Sequence, residues 1–125
     1  KNFENAMRGG MVWGVGLTNL ERHVYDPQNG LPANTGLYQN KPPTNMDVPV
    51  DTVQQAVNIP DPQNPVGARG IGEPTQGAMA AALASAITDA LEGHLFNTAP
   101  TTTDMIIDHL AGNDYSTKSL KTNTF

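Results

Sequence analysis

The chain has 125 residues, enough for one domain, and carries a net charge of −5 with charged residues making up only 15%. This acidic balance argues against nucleic-acid binding, because such proteins present a basic patch and the seven lysines and arginines here are scattered. The lack of cysteine excludes disulfides, thiolate catalysis and cysteine-ligated iron–sulfur clusters within this chain, and no apolar run is long enough to cross a bilayer.

The first predicted element covers residues 9–25, where an apolar series is interrupted by four glycines. Glycine weakens a free helix but lets neighbouring elements approach closely. The pattern therefore predicts a helix or helical turn that runs into a strand near residues 21–25. Asn29-Gly30 then marks a hairpin turn, since both residues tolerate the positive φ that such a turn needs.

The middle of the chain is predicted to be mostly irregular. Residues 31–50 are rich in proline and asparagine and predict an irregular connection. Residues 50–59 alternate in part between apolar and polar side chains, which favours a strand. The proline-rich residues 60–65 predict a loop.

Two main helices are predicted after this loop. Residues 76–92 are rich in alanine and almost uncharged, which predicts a helix buried on more than one side. The second helix covers residues 102–111, after threonines that offer an N-cap and before a stop at Gly112. With a few strands, these helices predict an α+β fold over residues 1–112, followed by a polar tail at 113–125. Low charge combined with 12 glycines and 10 prolines favours a piece packed inside a larger protein.

The stretch from Gly67 to Pro74 has the most distinctive chemistry, because three glycines precede a single carboxylate, Glu73, and a proline. Glycine-rich loops ahead of a helix leave backbone N–H groups available to an anionic ligand. One interpretation makes Glu73 an acid that favours the positive end of the helix dipole, with Pro74 in the first turn. A phosphate loop is another, although the Gly-Lys-Ser/Thr ending is absent. The glycine spacing does not fit the dinucleotide fingerprint.

The histidines and the tryptophan do not indicate a metal site or a ligand-binding site. His23, His94 and His109 lack metal-ligand spacing, and we interpret the last two as helix-end or surface residues. The single tryptophan, Trp13, is predicted to lie in the core rather than to stack on a ligand.

Four segments with familiar motifs follow one another along the chain: Met7-Arg8-Gly9-Gly10 with Val12-Trp13-Gly14-Val15-Gly16, the hairpin Val24 to Gly30, the Pro-Thr-x-x-Asp-x-Pro pattern within Lys41 to Pro49, and Gly67 to Pro74 with its alanine-rich helix. In this order they cover about residues 5–112. They resemble the C-terminal part of the large, molybdopterin-binding subunit of the molybdenum hydroxylases, the family of xanthine dehydrogenase and aldehyde oxidoreductase. Ala6 and Arg8 depart from that pattern, since many members have a pterin-contacting glutamine and an acid there.

The resemblance implies specific roles for the glycine-rich loop. Glu73 would act as the general base in hydroxylation of an aldehyde or N-heterocycle with water-derived oxygen, and Gly70, Ile71 and Gly72 would border the cofactor. No residue of this chain is implied as a metal ligand. The implied cofactor is a molybdenum–pyranopterin, as molybdopterin itself or its cytosine dinucleotide form, and we expect the segment alone to hold none tightly and to be inactive.

The resemblance also implies partners and a location. The partners are the remainder of the molybdopterin-binding subunit, subunits or domains that carry FAD and a [2Fe-2S] cluster, and a small-molecule substrate, with no nucleic acid and no membrane span. We expect a cytoplasmic location, or a periplasmic one through the signal of a partner subunit. Because the chain starts at Lys1 and is several times shorter than the large subunit, we expect it to come from a longer polypeptide. The alternative hypothesis is a non-catalytic assembly module, suggested by the apolar helix at 78–91.

Overall fold

The computed structural model describes residues 2–113, and within them all regular structure is helical. There are three α-helices, one π-helical turn and one 3-10 turn: α1 (Asn2–Val15), the π turn (Gly16–Leu20), the 3-10 turn (Asn45–Asp47), α2 (Pro74–Ala90) and α3 (Thr103–Leu110). No helix among these residues has the length and apolar character needed to cross a membrane.

Helices α1 and α2 form the main packing interface. Gly10 and Gly14, one turn apart on α1, are buried against α2. A methyl group built on Gly10 would overlap the hydroxyl of Thr75, and one on Gly14 would lie 2.6 Å from Met79 Cβ. The later glycine of α1 contacts the later residue of α2, because Gly10 meets Thr75 and Gly14 meets Met79. The two helices therefore run parallel. Helix α1 begins earlier than the sequence predicts, and it continues through its glycines because this close packing offsets their poor helix propensity.

The π turn that follows α1 joins three parts of the chain. The buried Thr18 hydroxyl donates to the carbonyl of Gly14 at 2.7 Å and lies 3.4 Å from the carbonyl of Ala80 on α2. The Thr101 amide donates to the carbonyl of Thr18 at 2.6 Å, and the Asn19 side chain donates to the carbonyl of Thr101. These bonds tie the approach to α3 to the end of α1.

The two predicted main helices are confirmed, with small differences at their ends. Helix α2 begins at Pro74, where the missing N–H of proline costs nothing, and Gly93 follows it with a φ of 93°. Helix α3 begins after Thr102 and is followed by Gly112 at positive φ. The expectation that the first of them is buried on several sides is wrong for this chain, since no residue of α2 is buried. The predicted tail falls outside the described residues from 114 onward.

The prediction of an α+β fold is wrong, because residues 2–113 contain no strand or sheet. The hairpin turn at residues 26–30 is present, but its arms pair only at one antiparallel bridge between Tyr25 and Pro32. The Val24 amide, which would extend this ladder, donates instead to the side chain of Asn34 at 3.1 Å. Residues 50–59 have no partner segment among the described residues, and a strand needs one to exist.

The proline-rich connection is ordered locally by a capping box. The Thr44 hydroxyl accepts from the Met46 amide at 3.2 Å, and the Asp47 carboxylate accepts from the Thr44 amide at 2.7 Å. This reciprocal pair explains why threonine and aspartate stand three residues apart in this segment.

Candidate functional site: the cleft at Glu73

Glu73 occupies the N-cap position of α2. Its backbone carbonyl accepts from the Gln76 amide at 3.0 Å, which starts the helix. Its side chain is exposed and makes no capping hydrogen bond. The carboxylate is therefore not used to satisfy the first turn of α2, although it lies at the positive end of the helix dipole.

One face of α1 and the start of α2 enclose an open cleft of about 320 Å³. Its lining comes from two segments that are about 60 positions apart in the sequence: Ala6, Gly9, Gly10 and Trp13 on α1, and Gly72 and Glu73. The α1 residues lie three or four positions apart, so they share one helical face. Because α1 and α2 run parallel, this face lies beside the first residues of α2.

Apart from Trp13, the cleft is lined by little side-chain bulk. A methyl group built on Gly9 or Gly72 would meet no atom within 4 Å. The bare backbone on both sides leaves Glu73 as the one charged residue of the lining. The arrangement therefore presents a carboxylate to any group that enters between α1 and α2.

The loop that precedes Glu73 is closed by its own hydrogen bonds. The Asn64 side chain donates to the carbonyl of Ala68 at 2.8 Å and accepts from the amides of Val66 and Ala68 at 3.2 Å. Arg69 Nε lies 2.7 Å from a carboxylate oxygen of Asp61, and Gly67 adopts a φ of 63°. The amides of Gly67 and Ala68 donate within this loop, so any anion contact is left to the amides after them.

Comparison with known proteins assigns the chain. No family model matches the sequence. The xanthine dehydrogenase molybdenum-binding subunit of Escherichia coli is 34% identical over 111 residues, which is 87% of this chain and 14% of that protein. A gamma subunit of the 6-hydroxypseudooxynicotine dehydrogenase complex of Paenarthrobacter nicotinovorans is 31% identical over 105 residues, 83% of this chain and 13% of that protein. The crystal structure of quinoline 2-oxidoreductase from Pseudomonas putida 86 superposes with a TM-score of 0.74 at 31% identity, covering 89% of this chain and 14% of that one.

The chain belongs to the molybdenum hydroxylase family. The predicted resemblance is confirmed, and the chain corresponds to part of the molybdenum-binding subunit. It spans about one seventh of the length of the curated relatives it matches.

Within this molybdenum hydroxylase segment, the structure separates the predicted loop residues. Gly72 and Glu73 line the cleft, whereas Gly70 and Ile71 do not. Trp13 is 56% exposed and lines the cleft, so the prediction that it lies in the core is wrong. The spacing of Ala6, Gly9 and Trp13 would have placed all three on one face of a helix, had the helix been predicted to begin before residue 9.

The structure also brings two histidines together. His94 and His109 stack with ring centroids 3.7 Å apart and an interplanar angle of 19°, and Phe96 meets the edge of His94 at 4.6 Å. No spacing in the sequence indicates this pairing, because it depends on how the connection before α3 folds back. Within residues 2–113, no group of three or more histidine, aspartate or glutamate side chains has the geometry of a metal site.

Proposed function

We propose that this chain forms part of the cofactor site of a molybdenum hydroxylase and that Glu73 is its general base. The reaction is hydroxylation of an aldehyde or N-heterocycle with oxygen derived from water. The observation that carries the proposal is the position of Glu73 in a cleft whose opposite wall is the glycine face of α1. Both walls come from segments whose motifs resemble this family.

The walls of the cleft have room for a bulky cofactor. Gly9 and Gly72 leave room for a large group to reach Glu73 without a side-chain clash. The backbone amides of residues 69–72 lie just ahead of α2, where a glycine-rich loop can offer N–H groups to an anionic group. The volume of about 320 Å³ is too small for the whole cofactor, so the remainder of the subunit would supply the other contacts. When bound, the molybdenum–pyranopterin supplies the two-electron oxidation and activates the oxygen of water.

The contribution of this chain is a proton acceptor held in place. The Glu73 side chain is exposed and makes no capping hydrogen bond, so it can accept a proton from a donor that enters the cleft. The closed loop at residues 61–69 fixes the backbone that leads to it. Ala6 and Trp13 make the neighbouring wall apolar.

The other redox groups would belong to other parts of the complex. This chain contains no cysteine, so an iron–sulfur cluster needs ligands from another domain or subunit. We place FAD, the [2Fe-2S] cluster and most of the substrate contacts there as well. The gamma-subunit name of the Paenarthrobacter relative agrees with a multi-subunit assembly.

The test is Glu73→Gln in the complete enzyme. Molybdenum content should stay unchanged, while turnover should fall by about 100-fold or more, because general-base catalysis contributes about that much. Glu92→Gln is the matched control, since Glu92 is also exposed but follows the other end of α2. Near-normal turnover of Glu73→Gln would remove the proposed role.

A non-catalytic assembly role is the second candidate, and the exposed apolar surface of α2 favours it. In that case Glu73→Gln should leave turnover intact, whereas a charge on the outer face of α2, as in Ala82→Glu, should impair assembly. A phosphate loop has less support, because the Gly67 and Ala68 amides already donate within their own loop.

A further inference from the structure

The segment at residues 50–59 exposes its apolar side chains. Val53 is fully exposed, and Val57 and Ile59 are each 78% exposed. The chain runs from residue 51 to residue 60 without a helix, turn or bend. Such a run of accessible β-branched side chains is unusual for the solvent-exposed surface of a fully assembled protein.

The exposed β-branched side chains from Val53 onward share the period of a β-strand. Val53, Gln55, Val57 and Ile59 are two residues apart, so a straight strand would place them on one face. On the opposite face Thr52 and Gln54 are half-buried, whereas Ala56 and Asn58 are exposed. The face that carries Val53 thus points away from this chain, and from residue 55 onward both faces are uncovered.

The backbone of this segment is equally unpartnered. Among the described residues, no hydrogen bond joins a backbone N–H or C=O of residues 50–59 to another group of the chain. Pro60 favours an extended conformation at Ile59, and Val48 before Pro49 has extended angles of −88° and 126°. Ten residues in this form present about 30 Å of free strand edge.

We infer that residues 50–59 add as a β-strand to an open sheet edge in the remainder of the molybdenum-binding subunit. A sheet edge is the one partner that satisfies both the free backbone groups and the apolar face. The relatives are long enough to contain such a sheet outside the aligned region, since this chain aligns with only 14% of the Escherichia coli subunit. The superposition on quinoline 2-oxidoreductase likewise covers 89% of this chain inside a chain about seven times longer. The inference rests on the proposal that the chain works within the larger subunit, but it is independent of the role of Glu73.

Hydrogen exchange in the assembled enzyme tests the inference directly. Amides within residues 50–59 should exchange at least about 100-fold more slowly than in the separate 125-residue chain, in an alternating pattern. Equally fast exchange in both states would overturn the inference, even if Glu73→Gln abolishes turnover. Slow exchange combined with an active Glu73→Gln enzyme would instead reject only the proposed base.

Proline substitutions provide a second, geometric test. Only every second amide of an added edge strand faces its partner, so Gln54→Pro and Gln55→Pro should differ. One should lower the fraction of assembled enzyme by about tenfold, and the other should behave like the control Leu37→Pro. Leu37 is 79% exposed at the second position of a turn closed onto the carbonyl of Gly36, where proline is well tolerated. Equal behaviour of the two variants would contradict the addition of an edge strand.

Discussion

Gly14 lies against Met79 so closely that its missing side chain sets the distance between α1 and α2. A Cβ atom at Gly14 would stand 2.6 Å from Met79 Cβ and 2.8 Å from the carbonyl oxygen of Gln76. This contact fixes the register of the parallel pair. The same register brings Gly9 and Gly10 beside Glu73 one to two turns earlier, so the cleft depends on it.

Gly14→Ala should therefore destabilise the protein. The added methyl group overlaps backbone as well as side-chain atoms, and overpacking of this kind costs about 1–3 kcal/mol. Gly77→Ala is the control, because a Cβ there meets nothing within 4 Å and alanine should raise helix stability by about 0.5–1 kcal/mol. The free energy of unfolding in urea measures both. Equal effects of the two changes would contradict the packing described here.

Thr18→Val should also destabilise the protein, by about 0.5–1.5 kcal/mol, because it removes a buried hydroxyl that donates to the carbonyl of Gly14. Thr18→Ser keeps the hydroxyl, so it should restore the hydrogen bond. Thermal unfolding of the two variants would compare them. If valine proves as stable as the original threonine, the hydroxyl does not stabilise the fold.

Gly9→Leu should impair the site without unfolding the helix. The position is open, and leucine is a good helix former, so the side chain can project into the cleft beside Glu73. Molybdenum content or turnover of the complete enzyme should fall, while Gly9→Ala should retain more of both. Unchanged cofactor content and kinetics in Gly9→Leu would show that the cleft is not occupied.

Asp104, at the start of α3, should make stability depend on pH in the acid range. The pKa of Asp104 lies below its ordinary value, first because of the neighbouring Thr102 hydroxyl. Burial is the second largest influence and acts in the opposite direction, while backbone amides of α3 and Arg22 at 3.7 Å lower the pKa further. A lowered carboxyl pKa stabilises the fold above the unfolded value of about 3.9, and this contribution is lost as pH falls through the folded pKa.

Two variants separate these causes. Thr102→Val should raise the pKa of Asp104 more than Arg22→Gln does, because the hydroxyl has the larger influence and the ion pair is exposed. NMR titration of the Asp104 carboxyl carbon measures the pKa. The reverse order of the two effects would show that the ion pair dominates.

The sequence predicts those parts of this molecule that depend on near neighbours. The alanine-rich helix with Pro74 at its start, and the short helix before Gly112, are local patterns, and both are present. Strands at residues 21–25 and 50–59 are predicted by composition but not formed, because a strand needs a partner and none lies among the described residues. The cleft depends on how α1 lies along α2, which no local pattern specifies.

The free edge at residues 50–59 also affects the tendency of the chain to aggregate before it assembles with the rest of the subunit. An unpaired, β-branched segment is a template for self-association, so newly made chain should aggregate unless it is captured quickly. Pro49 and Pro60 border the segment and Asp51 adds a charge, which are the kinds of residue that slow fibril growth. Solubility of the unassembled polypeptide is thus expected to depend on these three residues, none of which touches the cleft.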